Sequence, residues 1–259
     1  MNESLIQREL STFPLSGIRY FDSTGSTNDD ALAWASQGAS DLSLVISNEQ
    51  TAGRGRSGRK WYTPPGSALA FSLILRPSAA EIEHPARITG LGALAVLDGL
   101  RSIGLFPQIK WPNDILVNGR KVAGILVESD WLGNMLNACI LGIGVNVLKA
   151  STPPIDVATF PPTCIEVELG HPLDRLELLK DILFALLKWR DKLGRDEFIH
   201  AWDDSLAFRG QQVQVTRDSQ VPMTGELLGL EPNGNLQIRS PDGFVHQLQF
   251  GEIHLRPVL

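Results

Sequence analysis

One short stretch contains the residue types best suited to binding an anion. It spans residues 53–61 and holds three glycines together with four cationic side chains, Arg54, Arg56, Arg59 and Lys60. Glycine lets successive backbone N–H groups converge on an anion, and arginine adds a planar fork of donors that binds oxygens in pairs. The stretch therefore predicts a site for phosphate or carboxylate groups. The alternative is a surface loop with solvated arginines.

The spacing Gly53-x-Gly55-x-x-Gly58 also matches the dinucleotide-binding fingerprint, but the residues that follow argue against it. That fingerprint requires a helix directly after the glycines. Here Pro64 and Pro65 come next, and proline does not fit a helix interior. Kinase loops share the spacing, yet the chain has no His-Arg-Asp or Asp-Phe-Gly sequence. Neither kind of nucleotide site is therefore expected.

A second group of polar residues lies in one predicted hairpin. A short strand at residues 108–110 ends in a proline turn, and the strands 115–117 and 121–128 flank Asn118-Gly119, a strong signal for a tight turn. This arrangement predicts Asp114 and Lys121 on opposite sides of one hairpin. Asp114 could orient Lys121, bind magnesium or accept a proton. Taken alone, Lys121 would be interpreted as an exposed hairpin lysine.

The surrounding pattern predicts the elements that position these residues. Apolar runs indicate buried strands at residues 42–48, 67–75 and 138–147, and helical spacing indicates helices at 85–103, 173–193 and 197–205. Another helix starts at residues 26–28, whose side chains either cap it or hold a ligand, and it stops at Gly38. Gly142 and Gly144 predict either close approach to the strand backbone or a bulge. Residues 149–163 are predicted to form a surface loop.

The C-terminal part of the chain has a different pattern. Short alternating segments at residues 212–216, 224–230, 236–238 and 245–250 predict strands, with turns at Asn233-Gly234 and Asp242-Gly243. This pattern predicts a small all-β domain.

Composition limits the function further. The chain has 259 residues, a net charge of −6 and two cysteines, Cys139 and Cys164. The acidic balance argues against a protein that coats nucleic acid, and two isolated cysteines argue against disulfides or structural zinc. The N-terminal residues lack the features of a signal peptide, and no apolar run is long enough to span a bilayer. We therefore expect a cytoplasmic protein.

Five motifs in one order resemble the biotin protein ligase family. Residues 53–59 with Trp61 match its Gly-Arg-Gly-Arg-x-Gly-Arg loop, residues 110–114 its Lys-Trp-Pro-Asn-Asp motif, and residues 121–128 its Lys-x-x-Gly-Ile-Leu-x-Glu motif. Ser-Thr-Asn at 26–28 and Gly-x-Gly-x-Asn-Val at 142–147 agree as well, and residues 251–256 resemble the closing strand. Together the five cover about 120 residues, which makes the resemblance specific.

The resemblance implies an α+β fold in two domains. Residues 1–206 would form a class II synthetase-like catalytic domain, a mixed sheet with flanking helices that binds biotin and ATP. Residues 207–259 would form a small SH3-like β-barrel. Only about twenty residues precede the first catalytic strand, too few for the DNA-binding module that some members carry, so no DNA partner is expected.

The implied reaction activates biotin with ATP, accompanied by Mg²⁺, to biotinyl-5′-AMP and then biotinylates a lysine. The implied acceptor is the biotin carboxyl carrier domain of acetyl-CoA carboxylase, and the resemblance leaves a homodimer open. The implied biotin-binding residues are Ser26, Thr27, Asn28, Gln50, Gly53, Arg54, Gly55, Arg56, Lys121 and Gly124. The implied ATP-binding residues are Arg54, Arg56, Arg59, Trp61, Lys110, Asn113, Asn146 and Arg256. Lys121, Asp114 and Arg56 would be catalytic, and no residue is assigned to a metal.

Several roles stay open at this level. Trp61 and Trp111 either stack on adenine or pack in the core, and Gly124 either admits biotin or marks a bulge. Because water would destroy biotinyl-AMP, we expect residues 53–60 to be mobile without ligand and to order over it. The competing functions are lipoate ligation, which shares this chemistry, and an RGG-like nucleic-acid patch.

Overall fold

The structure, a computed structural model, describes residues 1–154, 158, 160–217, 222–249 and 253–258. It contains a seven-stranded and a five-stranded sheet. The strands of the first sheet are β1 (Gly17–Phe21), β2 (Ser43–Ser47), β3 (Ala68–Leu75), β4 (Pro107–Lys110), β5 (Asp114–Val117), β6 (Arg120–Leu132) and β7 (Met135–Asn146). The helices are α1 (Glu3–Glu9), α2 (Thr27–Ser36), α3 (Ala79–Glu83), α4 (Pro85–Ser102), α5 (Ile165–Leu169), α6 (Arg175–Arg190) and α7 (Asp196–Asp204).

The first sheet has the order β1-β2-β3-β7-β6-β5-β4. It is mixed, because β1 pairs in parallel with β2 while the other neighbours are antiparallel. Every residue of β2 and β3 is buried. A strand buried on both faces needs a cover on each side, which explains the continuous apolar runs in the sequence.

Helices supply both covers. On one face of the sheet α2 packs its alanines, Ala31 and Ala35, against Val45 and Ile74. On the other face α4 and α6 pack over alternate residues of the same strands, including Phe71 and Leu73. The side-chain period of a strand sends neighbouring residues to opposite faces, so each strand contributes to both cores. The expected α+β architecture with flanking helices is confirmed.

The predicted helices and central strands are present with small changes at their ends. β2, β3, β7, α2, α4, α6 and α7 lie within or close to the predicted ranges. Local spacing missed α1, β1, α3 and α5, because three of these are helices of five to seven residues and β1 is half-exposed. No helix of the described segments combines the length and apolar character needed to cross a membrane.

The predicted hairpin is present between β5 and β6. Asn118 and Gly119 both have positive φ, 49° and 71°, which is the conformation that this type of tight turn requires. A register shift lies between Ile115 and Leu116, and Asp114 is opposite Gly124. This pairing places Asp114 and Lys121 on adjacent strands of one hairpin, as predicted.

The segment 149–163 is a loop in its described part, as predicted, and most of its described residues are exposed or half-buried. Residues 149–151 form a short 3₁₀ turn, and the main chain of Lys121 bonds to this segment through Pro161 O and Thr163 N, at 2.7 and 2.8 Å. Pro153, Pro154, Phe160 and Pro162 line a cavity. The main-chain bonds to Lys121 therefore hold part of this loop beside the hairpin. Residues 155–157 and 159 are outside the described part.

The second sheet is antiparallel and has the order β11-β10-β9-β8-β12. Its strands are β8 (Gln212–Arg217), β9 (Met223–Leu230), β10 (Leu236–Arg239), β11 (Val245–Leu248) and β12 (Ile253–Pro257). This confirms a small β unit, with positive φ at Gly234 and Gly243 in the predicted turns. Phe250, Gly251 and Glu252, which the predictions include in strands, lie outside the described residues. The division of the chain at residue 206 stays a prediction.

The second sheet is bound to the first through side chains. The buried indole of Trp111 donates its Nε1–H to Gly234 O at 3.1 Å. The buried guanidinium of Arg87, on α4, donates to Pro232 O at 2.6 Å. Both acceptors belong to the turn between β9 and β10. Trp111 therefore packs in the interior rather than facing the cavity, which selects the packing alternative for this residue.

Candidate active site

A cavity of about 550 Å³ opens at one end of the seven-stranded sheet. Its walls come from the start of α2, from the stretch 53–61, from the turn and hairpin 110–126, from the end of β7 and from residues 153–162. The volume is in the range of small-molecule sites. Segments that the sequence singled out separately are therefore brought together around one space.

The stretch 53–60, called the glycine–arginine loop below, forms a narrow ribbon. The main chains of Arg54 and Lys60 pair in an isolated antiparallel β-bridge, and Gly55 N donates to Arg59 O at 2.7 Å. A 3₁₀ turn at Arg56–Gly58 closes the tip, where Ser57 has a φ of 56°. No helix follows, which agrees with the rejection of the dinucleotide fingerprint. The loop lies along the cavity with its arginines at the edge, and its mobility without ligand stays a prediction.

The centre of the site is one carboxylate between two ammonium groups. Lys121 Nζ lies 2.5 Å from Asp114 Oδ1, and Lys110 Nζ lies 3.1 Å from Asp114 Oδ2. Burial opposes ionisation of this carboxyl, but Lys121 and Lys110 outweigh it and hold the pKa of Asp114 well below its usual range. Lys121 and Lys110 also face the rings of Trp61 and Phe160, at 5.5 and 5.3 Å. The cluster keeps one net positive charge at the cavity wall.

Trp61 explains one of the two glycines of β7. A Cβ at Gly144 would lie 2.4 Å from the Trp61 indole, so only glycine accommodates this ring against the strand. The indole Nε1 is buried and has no hydrogen-bond partner among the described residues. In this structure Trp61 therefore packs on the strand as a wall of the cavity.

Asn28 explains the other glycine. A Cβ at Gly142 would lie 2.2 Å from Asn28 Oδ1. That oxygen accepts a hydrogen bond from Ser72 Oγ at 2.6 Å. The predicted close approach to this strand is thus confirmed, and both approaching groups are side chains of predicted site residues.

The start of α2 is built for tertiary contacts rather than for capping. Ser26 occupies the N-cap position without a side-chain capping bond. Thr27 donates from its backbone N and its Oγ1 to Gln50 Oε1, at 2.8 and 3.1 Å. Gln50 Nε2 donates in turn to Thr63 Oγ1 at 3.2 Å. These side chains form a fixed polar group at one end of the cavity, so the capping-only interpretation is wrong.

Arg54 is bound by two carboxylates. Its guanidinium pairs with Asp29 and donates to Glu128 Oε1 and Oε2 at 2.9 and 2.7 Å. Although burial opposes this, Glu128 and Asp29 raise the pKa of Arg54 above its usual value. Glu128 was part of a motif but not a predicted site residue. Nothing in the sequence alone shows that it lies beside a residue 74 positions away.

Nearly all predicted site residues line the cavity. The exceptions among them are Gly53, which is buried directly behind the loop, and Arg256, which is exposed on β12 and is not one of the cavity-lining residues. Beside the hairpin Arg56 Nη1 donates to Asn113 Oδ1 at 3.3 Å, and Asn113 Nδ2 donates to Ile125 O at 2.8 Å. Asn146 Nδ2 donates to Thr163 O at 3.0 Å. The lining residues that were not predicted site residues come from the glycine–arginine loop and its end, from the hairpin and β7, and from the segment 153–162.

Residues 20–146 match the sequence model of the biotin/lipoate A/B protein ligase family. A biotin--[acetyl-CoA-carboxylase] ligase of Paracoccus denitrificans is 36% identical over 228 residues, which cover 85% of this chain and 93% of that protein. The bifunctional ligase/repressor BirA of Bacillus subtilis is 32% identical over 232 residues, 86% of this chain and 70% of that protein. The biotin protein ligase of Aquifex aeolicus in complex with biotin and ATP is 27% identical and superposes with a TM-score of 0.81, covering 94% of this chain and all of that one.

Proposed function

The chain belongs to the biotin/lipoate A/B protein ligase family, and we propose that it acts there as an ATP-dependent biotin protein ligase. The biotin carboxylate attacks the α-phosphate of ATP, which forms biotinyl-5′-AMP and releases pyrophosphate. The amine of an acceptor lysine then attacks the acyl carbon and expels AMP. This proposal agrees with the activity named for the Paracoccus relative and with the biotin and ATP bound in the superposed Aquifex structure.

The observation that carries the proposal is the charge of the cavity. Among its described lining residues are six cationic side chains and one carboxylate, Asp114, although the whole chain has a net charge of −6. One of the six, Arg54, is paired with Asp29 and Glu128, so the other five cations and Asp114 give the cavity wall its positive charge. The first step brings a carboxylate and a triphosphate together, and such a step is accelerated by fixed cations where negative charge accumulates. A site with this charge supports an adenylation reaction between two anions.

Lys121 is the residue assigned to the reacting atoms. Its ammonium is held at the cavity wall by Asp114, and it would bridge the biotin carboxylate and the α-phosphate. A cation shared by both anions stabilises the pentavalent transition state more than the separated reactants. Lys121 thereby lowers the barrier of the first step without forming a covalent bond.

Asp114 is assigned the orientation of Lys121 rather than proton transfer. Its pKa is held well below the usual range by the two lysines, and an acid that strong is a poor general base near neutral pH. Both of its oxygens are already engaged by ammonium groups. Of the three roles open from the sequence, orientation is the one that these contacts support.

Biotin is assigned to the polar end of the cavity. Thr27, Gln50 and the backbone of residues 54–56 present fixed donors and acceptors there, which suits the cyclic urea of biotin. The side chains of Ser26 and Asn28 line the same end. Gly124 lies on β6 close to two of the assigned residues, since a Cβ there would come within 3.2 Å of the Trp61 ring and 3.4 Å of Lys121 Nζ.

ATP is assigned to the opposite end. Arg56, Arg59 and Lys110 face it as cations, while Asn113 and Asn146 offer amide groups. Trp61 and Phe160 supply aromatic faces along the wall. Arg256 is not among the described residues that line the cavity, so its assignment rests on the resemblance alone.

Magnesium is assigned to the nucleotide and not to a protein site. The carboxylate of Asp114 is occupied by two ammonium groups, and no cluster of three His, Cys, Asp or Glu residues suited to a metal exists among the described residues. Mg²⁺ typically binds through substrate phosphates with few protein ligands. When bound, it would neutralise part of the triphosphate charge.

We assign the acceptor lysine to the biotin carboxyl carrier domain of acetyl-CoA carboxylase. The Paracoccus relative is named as a ligase for that carboxylase. The net charge of −6 supports action without DNA. Cys139 and Cys164 are buried free thiols, which fits the expected cytoplasmic location. Nothing in the mechanism requires a second copy of the chain.

Transfer to a purified carrier domain tests the proposal. The protein is incubated with the carrier domain, ATP and either biotin or lipoate, and the modified lysine is identified by peptide mass spectrometry. We expect biotin on one lysine of the carrier domain and no lipoate. Modification by lipoate alone would assign the chain to the other branch of the family.

A further inference from the structure

We propose that Glu128 is a positioning residue that holds the glycine–arginine loop in register with the start of α2. The inference rests on the proposed function, because both of these segments are assigned to biotin there. Glu128 does not line the cavity itself and acts through Arg54 and Asn28.

The position of Glu128 on β6 makes this possible. Gly124, Leu126 and Glu128 alternate along the strand and therefore share one face, and the first two line the cavity. Glu128 is thus the next residue on the same face just beyond the cavity. A carboxylate at this point can reach both segments that close the cavity end.

Each of the two segments donates to this carboxylate. Asn28 Nδ2 donates to Glu128 Oε2 at 2.7 Å, and Arg54 Nη2 donates to both carboxylate oxygens at 2.7 and 2.9 Å. Asn28 comes from α2 and Arg54 from the loop. One carboxylate therefore fixes the distance between the start of α2 and the glycine–arginine loop. These segments are well separated in the sequence, since Asp29 and Arg54 lie 25 positions apart.

The contacts of the two donors extend the link. Asn28 is buried and accepts from Ser72 on β3, so its side chain is tied to the sheet. Arg54 pairs also with Asp29, on the same turn of α2. The side chain of Arg54 is thereby used to hold the loop, which leaves its backbone for the ligand.

The ion pairs of Arg54 with Glu128 and Asp29 are weak enough for a loop that must also open to release its product. The side chains of Arg54, Glu128 and Asp29 are 38%, 30% and 52% exposed, and ion pairs this accessible contribute little each and are screened by salt. The bond from buried Asn28 is shielded and keeps Glu128 in place. Opening of the loop should therefore break the Arg54 contacts first.

The first test needs no catalysis. Amide hydrogen exchange of residues 53–61 is measured in the ligand-free protein for wild type and Glu128→Gln, which preserves shape and removes the charge. We expect faster exchange in the variant, by about fivefold, the size expected for the loss of such partly exposed ion pairs. Glu226→Gln, which breaks the exposed pair with Arg239 in the five-stranded sheet, is the matched control and should change nothing here. Unchanged exchange in Glu128→Gln would overturn the inference.

The second test follows biotinyl-AMP. Labelled biotin is converted to the adenylate on the enzyme, unlabelled biotin is added in excess, and the rate of escape is measured. Glu128→Gln should raise this rate by about fivefold. Arg54→Gln also loses its pair with Asp29 and should raise the rate at least as much. The double variant should match Arg54→Gln, because the contact between Arg54 and Glu128 is already lost there. Additive effects would overturn the inference.

The two tests separate this inference from the proposed function. If the wild type forms no biotinyl-AMP, yet Glu128→Gln loosens residues 53–61, the positioning role stands while the proposed reaction fails. If the wild type forms the adenylate and neither exchange nor escape changes in Glu128→Gln, the reaction stands and the positioning role is overturned.

Discussion

Lys121 and Asp114 face each other across the β5–β6 hairpin, with Nζ 2.5 Å from Oδ1. They are on adjacent strands because the Asn118-Gly119 turn reverses the chain between them. Lys110 contacts the second carboxylate oxygen, so a single anion holds two cations at the cavity wall.

Asp114→Asn should destabilise the protein by about 3 kcal/mol at neutral pH, because it leaves the buried ammonium of Lys110 and the partly buried ammonium of Lys121 without an anion. The folded-state pKa of Asp114 lies below the unfolded value near 3.9, so its stabilising contribution is complete above that pH. The contribution is lost as pH falls through the folded pKa. Urea unfolding of wild type and variant should therefore differ at pH 7 and converge in strong acid.

Asp204→Asn is the control for this measurement. Asp204 is exposed and pairs with Arg209 at the protein surface. We expect its replacement to change the free energy of unfolding by less than about 1 kcal/mol. An Asp114→Asn variant as stable as this control at pH 7 would contradict the role of the carboxylate as the anchor of both lysines.

Arg56→Gly should loosen the retention of biotinyl-AMP. Arg56 lies at the tip of the glycine–arginine loop and donates to Asn113. Without its guanidinium the adenylate escapes and labels stray lysines, which is measured as biotin incorporated into albumin. Arg56→Ala removes the same side chain without adding backbone freedom and should leak as well. Leakage in the glycine variant alone would assign the effect to flexibility instead of the guanidinium.

Trp111→Phe should slow adenylation through the supporting structure. The substitution removes the hydrogen bond to Gly234 O and part of a buried ring, which costs about 1 to 2 kcal/mol of stability. Trp111 lies between Lys110 and Asp114, so loss of its anchor should shift both and lower kcat while the KM for biotin changes little. Trp131→Phe, at an exposed position on β6, is the control. If kcat of Trp111→Phe is unchanged below the melting temperature of the variant, Trp111 contributes to stability but does not position Lys110 and Asp114.

Features determined by local sequence could be predicted well. The Asn118-Gly119 turn has a conformational requirement that few residue pairs satisfy, so the hairpin and its two polar residues followed directly. The buried runs of β2 and β3 and the leucine spacing of α4 and α6 were equally local. Gly142 and Gly144 signalled a close approach, although not which side chains would approach.

Long-range relationships could not be predicted in the same way. The segment around Phe160 was correctly predicted as a loop from its proline, serine and threonine content, but the sequence does not show that it pairs with Lys121 and lines the cavity. Arg54 was assigned to the ligand because arginine suits anions in general. Its carboxylate partners come from α2 and β6, and only the folded arrangement brings them to it.

Biotin-dependent exchange of labelled pyrophosphate into ATP tests the central claim most directly, because it requires the first step and no acceptor. We expect exchange with biotin but not with lipoate or octanoate, and a large loss in Lys121→Ala with the fold intact. Lys192→Ala is the matched control, since that lysine is 27% exposed against 23% for Lys121 and pairs with Glu197 away from the cavity. It should exchange like wild type. Exchange with lipoate alone, or near-normal exchange in Lys121→Ala, would contradict the account.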